Sequence, residues 1–306
     1  VAVAWRANEE NFLKDVDWLS NLKVRLSWGK TGNSGIMPYG TQSGVTSYTN
    51  AAFQDHGYTY YNFNKYIGNK NVGWEISKTW NLGFDLGFLN NRISAVIDLY
   101  HTKTTDLLLP RSLPTSMGGS NATSFQMYQN IGATMNRGIE VAVNTVNIKN
   151  KNFEWNTNIT FNANHEEITD LINGTDIVSG ENPETESLLI GRPLHSFYTY
   201  KRQGIWQESE RETAATYYKD QKKTQPFQPG DIKLADLNGD HVIDGADRTY
   251  IGSTSPKWTA GFNNTFRYKD FDLNIYLIAR WGQYMDYQFG GAYDPYGKKN
   301  FPSYFN

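Results

Sequence analysis

The sequence predicts an all-β fold: an antiparallel transmembrane β-barrel segment with long extracellular loops. Three observations carry this expectation. Hairpin arms alternate apolar and polar residues over roughly nine to eleven positions, the length of a tilted strand crossing a bilayer, whereas globular strands usually run about five or six. Corners within hairpins are short, while the connections between hairpins run to tens of residues, which compact soluble domains rarely contain and outer-membrane barrels do. Aromatic residues make up 15% of the 306 residues, with 20 Tyr and 9 Trp, a load that suits interfacial girdles.

Val1 to Ala7 reads as an opening strand, and Glu9 to Leu19 has the spacing of a short helix. Leu22, Val24, Leu26 and Trp28 then alternate with Lys23, Arg25 and Ser27. A polar and aromatic excursion covers residues 33–77. In the next hairpin Trp80, Leu82, Phe84, Leu86 and Phe88 share a face with Ile93, Ala95, Ile97 and Leu99 across an Asn90-Asn91 corner. Asn81, Gly83, Asp85, Gly87, Ser94 and Asp98 fall on the opposite, polar face. A second excursion reaches about residue 135. The third hairpin sets Ile139, Val141 and Val143 beside Phe153, Trp155, Ile159 and Phe161, around an Asn/Lys corner at 147–152. Residues 166–256 form the longest excursion; its own strand-like stretch, His195–Trp206, is expected to pair within the loop, outside the membrane. Trp258, Ala260, Phe262 and Phe266 finally face Phe271, Leu273, Ile275, Leu277 and Trp281 across Lys269-Asp270. About eight strands result.

Composition narrows the class. A net charge of −2 leaves no basic footprint for nucleic acid. No run of eighteen apolar residues exists, which excludes a transmembrane helix but not a barrel, where only alternate residues need be apolar. With no cysteine, disulfides and thiolate metal sites are excluded. The chain opens inside a strand and stops after a Gly/Tyr-rich stretch, so it is read as a fragment, with 1–306 a partial barrel and 207–256 an extracellular loop.

That loop carries the sharpest motif. Asp236, Asn238, Asp240, Asp244 and Asp247 place oxygen ligands at positions 1, 3, 5, 9 and 12 of an EF-hand-like loop, and Val242 offers its carbonyl at position 7. His241 replaces the usual glycine at position 6, and Asp247 is shorter than the usual glutamate. The expectation is a structural Ca²⁺ that rigidifies the loop; the alternative is an Asp/Asn-rich turn that satisfies its own backbone.

Catalytic patterns are weak. Gly29-Lys30-Thr31 has only the end of a phosphate-binding loop and lies in a strand, and the five histidines lack zinc-ligand spacing. The chain is therefore expected not to be an enzyme. Tyr48, Tyr58, Tyr60 and Tyr61 sit in an aromatic-rich loop and are candidates for stacking on sugars or peptides; self-packing of the loop is the competing reading. Ser209 to Glu212 reads as a capping box opening a short surface helix toward Asp220.

With these elements placed, the chain resembles the C-terminal barrel region of SusC/RagA-like TonB-dependent outer-membrane transporters. The resemblance rests on the blocks from Trp18 to Asn33, Trp74 to Asp85, Asn136 to Glu140, Pro229 to Lys233 with the Asp loop, and Pro256 to Asn263. It implies an outer-membrane location and a share of a large plugged barrel of about 22 strands. It also implies import of oligosaccharides or peptides, a SusD-like lipoprotein partner, and TonB engagement through a missing N-terminal region. Two other functions compete with this one: a soluble calcium-stabilised carbohydrate-binding β-protein, and an extracellular glycosidase.

Overall fold

The computed structural model describes residues 1–286 except 36–37, 54–55, 64–65, 115, 117–118, 121–122 and 180–181. For residues 46–53, 56–63, 66, 112, 119–120 and 123–124 it describes the backbone alone. The chain divides into two compact units, Val1–Ser196 with Lys257–Trp281, and Phe197–Pro256 with the residues from Gly282 on.

The first unit is built on one eight-stranded sheet. Its strands are β1 (Ala2–Arg6), β2 (Leu19–Asn33), β3 (Glu75–Phe88), β4 (Ile93–Thr105), β5 (Gly132–Lys149), β6 (Phe153–Leu171), β7 (Trp258–Tyr268) and β8 (Phe271–Trp281). Each pairs antiparallel with its sequence neighbour, so the sheet is a meander without crossovers. The corners explain the order. Leu89, Asn90 and Asn91 all take left-handed backbone (φ 55°, 55° and 59°), which asparagine tolerates better than most residues. At the next corner the Asn150 side chain accepts from the Asn152 and Phe153 amides at 3.0 and 2.9 Å. Lys269 turns the last corner at φ 52°.

Register aligns the alternation across the sheet. Leu26, Leu82, Leu99 and Ile139 lie in one cross-strand row on β2–β5, and Val24, Phe84, Ile97 and Val141 in the next. Aromatic pairs bound these rows. Trp28 and Trp80 sit with ring centroids 6.2 Å apart at the long-loop end. Trp18 stacks on Phe88 at 5.9 Å, and Trp155 on Phe266 at 5.5 Å, at the short-corner end. Trp80 to Phe88 and Trp258 to Phe266 each span nine residues, the length of a tilted crossing. The apolar face is open: Trp80 is 52% exposed and Leu277 59%, an array a water-soluble sheet would bury. No helix among the described residues is long and apolar enough to cross a membrane, so any crossing is by strands.

Several elements differ from the sequence expectation. Glu9–Leu19 is not a regular helix. A 3₁₀ turn at Ala7–Glu9 leads into hydrogen-bonded turns such as Leu13 N–H to Glu10 O, because so short a segment gains too little from helix propagation to offset nucleation. β5 begins at Gly132 and β6 runs on to Leu171, lengthening the wall beyond the expected boundaries. Ile168, 1% exposed, anchors that extension through bonds with Arg192 and Gly191 at 2.9 and 2.8 Å.

The second unit is a small folded loop domain. The expected strand near His195–Trp206 is two strands, Ser196–Tyr200 and Arg202–Ile205. They pair with Arg248–Ser253 and Ile232–Leu234, within the loop as expected. Its core is Trp206, Ala214, Phe227 and Ile243, flanked by Tyr200, Tyr217 and Leu234. The capping box belongs to Gln207 and Glu210, two residues earlier than read, and the helix it opens onto is only Arg211–Ala214.

Candidate functional site

Two regions carry the polar residues a functional reading needs: the polar face of the sheet, and the Asp loop of the second unit. On the sheet, Asp85 and Asp98 hold Arg25 between them. Arg25 Nη2 lies 2.9 Å from Asp85 Oδ1, and Nη1 lies 3.2 Å from Asp98 Oδ1. Lys23 Nζ approaches Asp85 at 3.6 Å. Arg25, Gly83 and Asp98 occupy directly paired positions on β2, β3 and β4. The guanidinium therefore crosses a whole strand, and it does so because Gly83 has no side chain: a Cβ there would sit 2.5 Å from Arg25 Cζ.

The same arrangement recurs two strands on. Tyr100 on β4 lies over Gly138 on β5 and donates to Asn164 Oδ1 on β6 at 2.9 Å. A Cβ on Gly138 would meet the Tyr100 hydroxyl at 2.5 Å and the Ala163 carbonyl at 2.7 Å. Nearer the short corners the face turns to amides and hydroxyls. Asn158 donates to Asn144 at 2.6 Å, and a shallow cavity there is lined by Ser94, Asn144, Asn156, Asn158, Asn263 and Thr265 among others. The Glu140 carboxylate, which takes a bond from Asn162 at 3.2 Å, stands in the Asp98 row itself. The lower part of the wall offers hydrogen bonds from amides and hydroxyls, and the rows above it add the charges of Arg25, Asp85, Asp98 and Glu140. The crossings were not foreseen. The glycines were visible on the polar face, but their purpose depends on register over three strands.

In the second unit the Asp loop is wound on its own side chains. Asp236 accepts from the Gly239 and His241 amides at 2.7 and 3.0 Å, and Asp240 from the Val242 amide at 2.7 Å. Asn238 accepts from the Asp240 amide at 3.0 Å. Asp247, fully buried, accepts from the Leu237 and Asp244 amides at 2.8 and 2.9 Å. Asp244 caps the following turn through Ala246 and also takes a bond from Gln221, a partner the spacing gave no sign of. His241 adopts φ 64°, the left-handed turn that position 6 demands and glycine usually supplies. Among the described residues no three His, Cys, Asp or Glu side chains already converge at metal-holding spacing. The loop's oxygens are the candidate donors for a hard cation, with the Val242 carbonyl beside them.

Around it, Lys233 packs 4.2 Å over Trp206 and pairs with Glu210 at 2.6 Å. That ammonium, with the Gln207 amide, holds the Glu210 carboxyl below its ordinary range. Lys219, 2.6 Å from Asp231, does the same to the Asp231 carboxyl, helped by the Gln228 amide. The Thr224 hydroxyl and nearby amides lower Asp220.

Tyr48, Tyr58, Tyr60 and Tyr61 lie on a hairpin, Val45–Phe53 paired with His56–Phe63, in which Tyr48 is opposite Tyr60. Their side chains lie outside the described residues.

The family comparison covers the whole chain: residues 1–306 match the TonB dependent receptor-like β-barrel model. The chain belongs to the TonB-dependent receptor family. It is 37% identical over 290 residues to TonB-dependent receptor P3 of Formosa agariphila, covering 92% of this chain and 28% of that protein. To TonB-dependent receptor SusC of Bacteroides thetaiotaomicron it is 34% identical over 301 residues, covering 94% and 28%. Among solved structures, the RagAB peptide transporter superposes with a TM-score of 0.71 at 26% identity, over 92% of this chain and 29% of that one. The chain thus spans about 28% of the length of the curated relatives it matches. As part of a TonB-dependent receptor barrel, its sheet is outer-membrane wall, with the apolar rows toward lipid and the Arg25–Asp98 face toward the lumen. The family is one of transport receptors and not of enzymes, which removes the glycosidase reading.

Proposed function

We propose that this chain is the wall and one extracellular loop of an importer that takes up oligosaccharides or peptides across the outer membrane, driven through TonB. A SusD-like lipoprotein is its partner in that reading, and the missing parts of the parent protein supply the plug and the TonB contact. The observation that carries the proposal is the meander itself: nine-residue apolar crossings between aromatic girdles, short corners at one end and long, folded loops at the other. The lumen face, with amides and hydroxyls beside the Arg25, Asp85, Asp98 and Glu140 charges, supports polar cargo, a description that covers both sugars and peptides. Ca²⁺ or a similar hard cation in the Asp236–Asp247 loop is part of the same reading, as a brace for the second unit. The left-handed His241 at position 6 and the ligand-type spacing support it, while the amide bonds to Asp236, Asn238 and Asp247 are those a turn satisfying its own backbone makes as well.

The test uses the full-length parent in its own host. Leu82→Arg or Ile97→Arg places a charge among the lipid-facing rows, where it costs about 2–4 kcal/mol near the bilayer midplane. Both variants are expected to lose membrane assembly and growth on the imported nutrient. Normal assembly of both would overturn the barrel-wall reading. Uptake of labelled oligosaccharides and of labelled peptides, compared between wild type and a deletion of the gene, assigns the cargo class.

A further inference from the structure

The outward face of the sheet changes character just above the Trp28–Trp80 pair. Lys30 on β2 is directly opposite Lys78 on β3, and Lys78 is directly opposite Lys103 on β4. One step below, the row continues from Trp28 and Trp80 through His101 to Arg137 on β5. Alternation puts all of these side chains on the face of Leu26, Leu82 and Leu99, which is the lipid face, and all are exposed. The opposite face at the same height is neutral, with Ser77 bonded to Thr104 and Thr79 to Thr102 at 2.8 and 2.9 Å.

Three like charges in direct cross-strand register are unfavourable in a sheet on its own, since opposed side chains start only about 5 Å apart. Among the described residues no ion pair relieves them. Among those residues the nearest acid of the outward face, Glu167, lies opposite Met135 one strand further on, and pairs with His165 at 3.3 Å. Glu75 falls on the other face, where it takes the Asn33 amide and the Leu108 N–H. The row stands at the long-loop end, one residue pair beyond the aromatic girdle, at the depth of the extracellular headgroups. Headgroup phosphates there match it in charge and height.

We infer that Lys30, Lys78, Lys103 and Arg137 form a docking site for the phosphate groups of an outer-leaflet glycolipid of the lipid A class, with Trp28 and Trp80 lying against its glycan–acyl boundary. The inference rests on the outer-membrane orientation proposed above. Bound phosphate converts an unfavourable lysine row into a clamp across three strands. The lipid thereby holds the wall together at its upper edge.

The test takes the full-length parent into nanodiscs containing phosphorylated lipid A or the same lipid with its phosphates removed, and reads retained lipid by native mass spectrometry. Wild type is expected to retain the phosphorylated form at least about tenfold better. K30Q/K78Q/K103Q is expected to lose that preference, whereas K149Q/K151Q, at the short-corner end, keeps it. In detergent free of lipid A the triple variant should melt no lower than wild type, because glutamine removes the repulsion; a purely structural role for the lysines predicts the reverse. Equal retention of both lipids by wild type, unchanged preference in the triple variant, or displacement of the lipid by millimolar inorganic phosphate alone would each overturn the site. A thiol label on Asn71→Cys in intact cells separates the two levels of failure. Labelling from outside without a lipid preference rejects only the lipid site, and labelling only after the outer membrane is opened rejects the orientation together with the site.

Discussion

Arg25 reaches Asp98 across an intervening strand, over the bare backbone of Gly83. The bond links β2 to β4, strands that share no backbone hydrogen bonds, so it reports on lateral register and not on pairing alone. Arg25→Gln and Asp98→Asn are each expected to destabilise the full-length barrel by about 1–3 kcal/mol. Combined, they should lose less than the sum, with a coupling of about 0.5–3 kcal/mol. Gly83→Val should cost at least as much as either, since it displaces the guanidinium from both carboxylates. Urea unfolding in detergent, followed by tryptophan fluorescence, measures all four. Strict additivity of the Arg25 and Asp98 variants would show that the crossing contributes nothing.

Tyr100 and Gly138 give a parallel test without charge. Tyr100→Phe removes one hydrogen bond to Asn164 and is expected to cost about 1 kcal/mol. Gly138→Ala is expected to cost more, because its Cβ meets a backbone carbonyl at 2.7 Å that cannot swing aside as a ring can. The order of the two midpoints in the same unfolding assay decides this.

The Asp loop predicts a calcium increment. Wild-type parent is expected to melt higher in millimolar Ca²⁺ than in EDTA, and Asp236→Ala with Asp240→Ala should abolish that difference. The difference is the readout and not the melting point itself, since these carboxylates also bond to the Gly239, His241 and Val242 amides and their loss lowers stability without any metal. Identical melting of wild type with and without Ca²⁺ would reject the metal.

Acid should loosen the second unit. Glu210, Asp220 and Asp231 have carboxyls held below their ordinary values by Lys233, Thr224 and Lys219. A depressed carboxyl contributes stability that is fully present above its unfolded pKa, about 4, and is lost as pH falls through the lower folded value. Protease nicking between Tyr217 and Lys233 is therefore expected to rise as pH drops from about 4 toward 2. Lys219→Gln should raise nicking already at neutral pH and make the further rise in acid smaller, because Asp231 then contributes less pH-dependent stability. A pH-independent nicking rate over that window would contradict the assignment.

The wall was readable because period-two alternation is a local signal, set by the pleat and repeated in every arm. Leu82, Leu99 and Ile97 fell on the expected face for that reason. What escaped the reading depends on partners distant in sequence. Arg25 to Asp98 is 73 residues apart and Trp155 to Asn264 is 109, and neither follows from spacing. The supposed helix at Glu9–Leu19 failed for the opposite reason: its local pattern was there, but too short to hold a helix by itself. In the Asp loop the backbone turns left-handed at His241, at the motif position where glycine is usual, whereas the Gln221 bond to Asp244 joins residues 23 apart and no local spacing announces it.

Because every wall strand pairs only with its sequence neighbours, each hairpin is closed at its short corner and open at its far end. Connections 34–74, 106–131 and 172–257 all spring from those open ends. Closing a flexible loop of twice the length costs only about 0.6 kcal/mol more. Insertions on that side can therefore accumulate while corners 89–92, 150–152 and 269–270 stay fixed. A lineage can thus exchange its recognition surface wholesale and leave the membrane scaffold untouched.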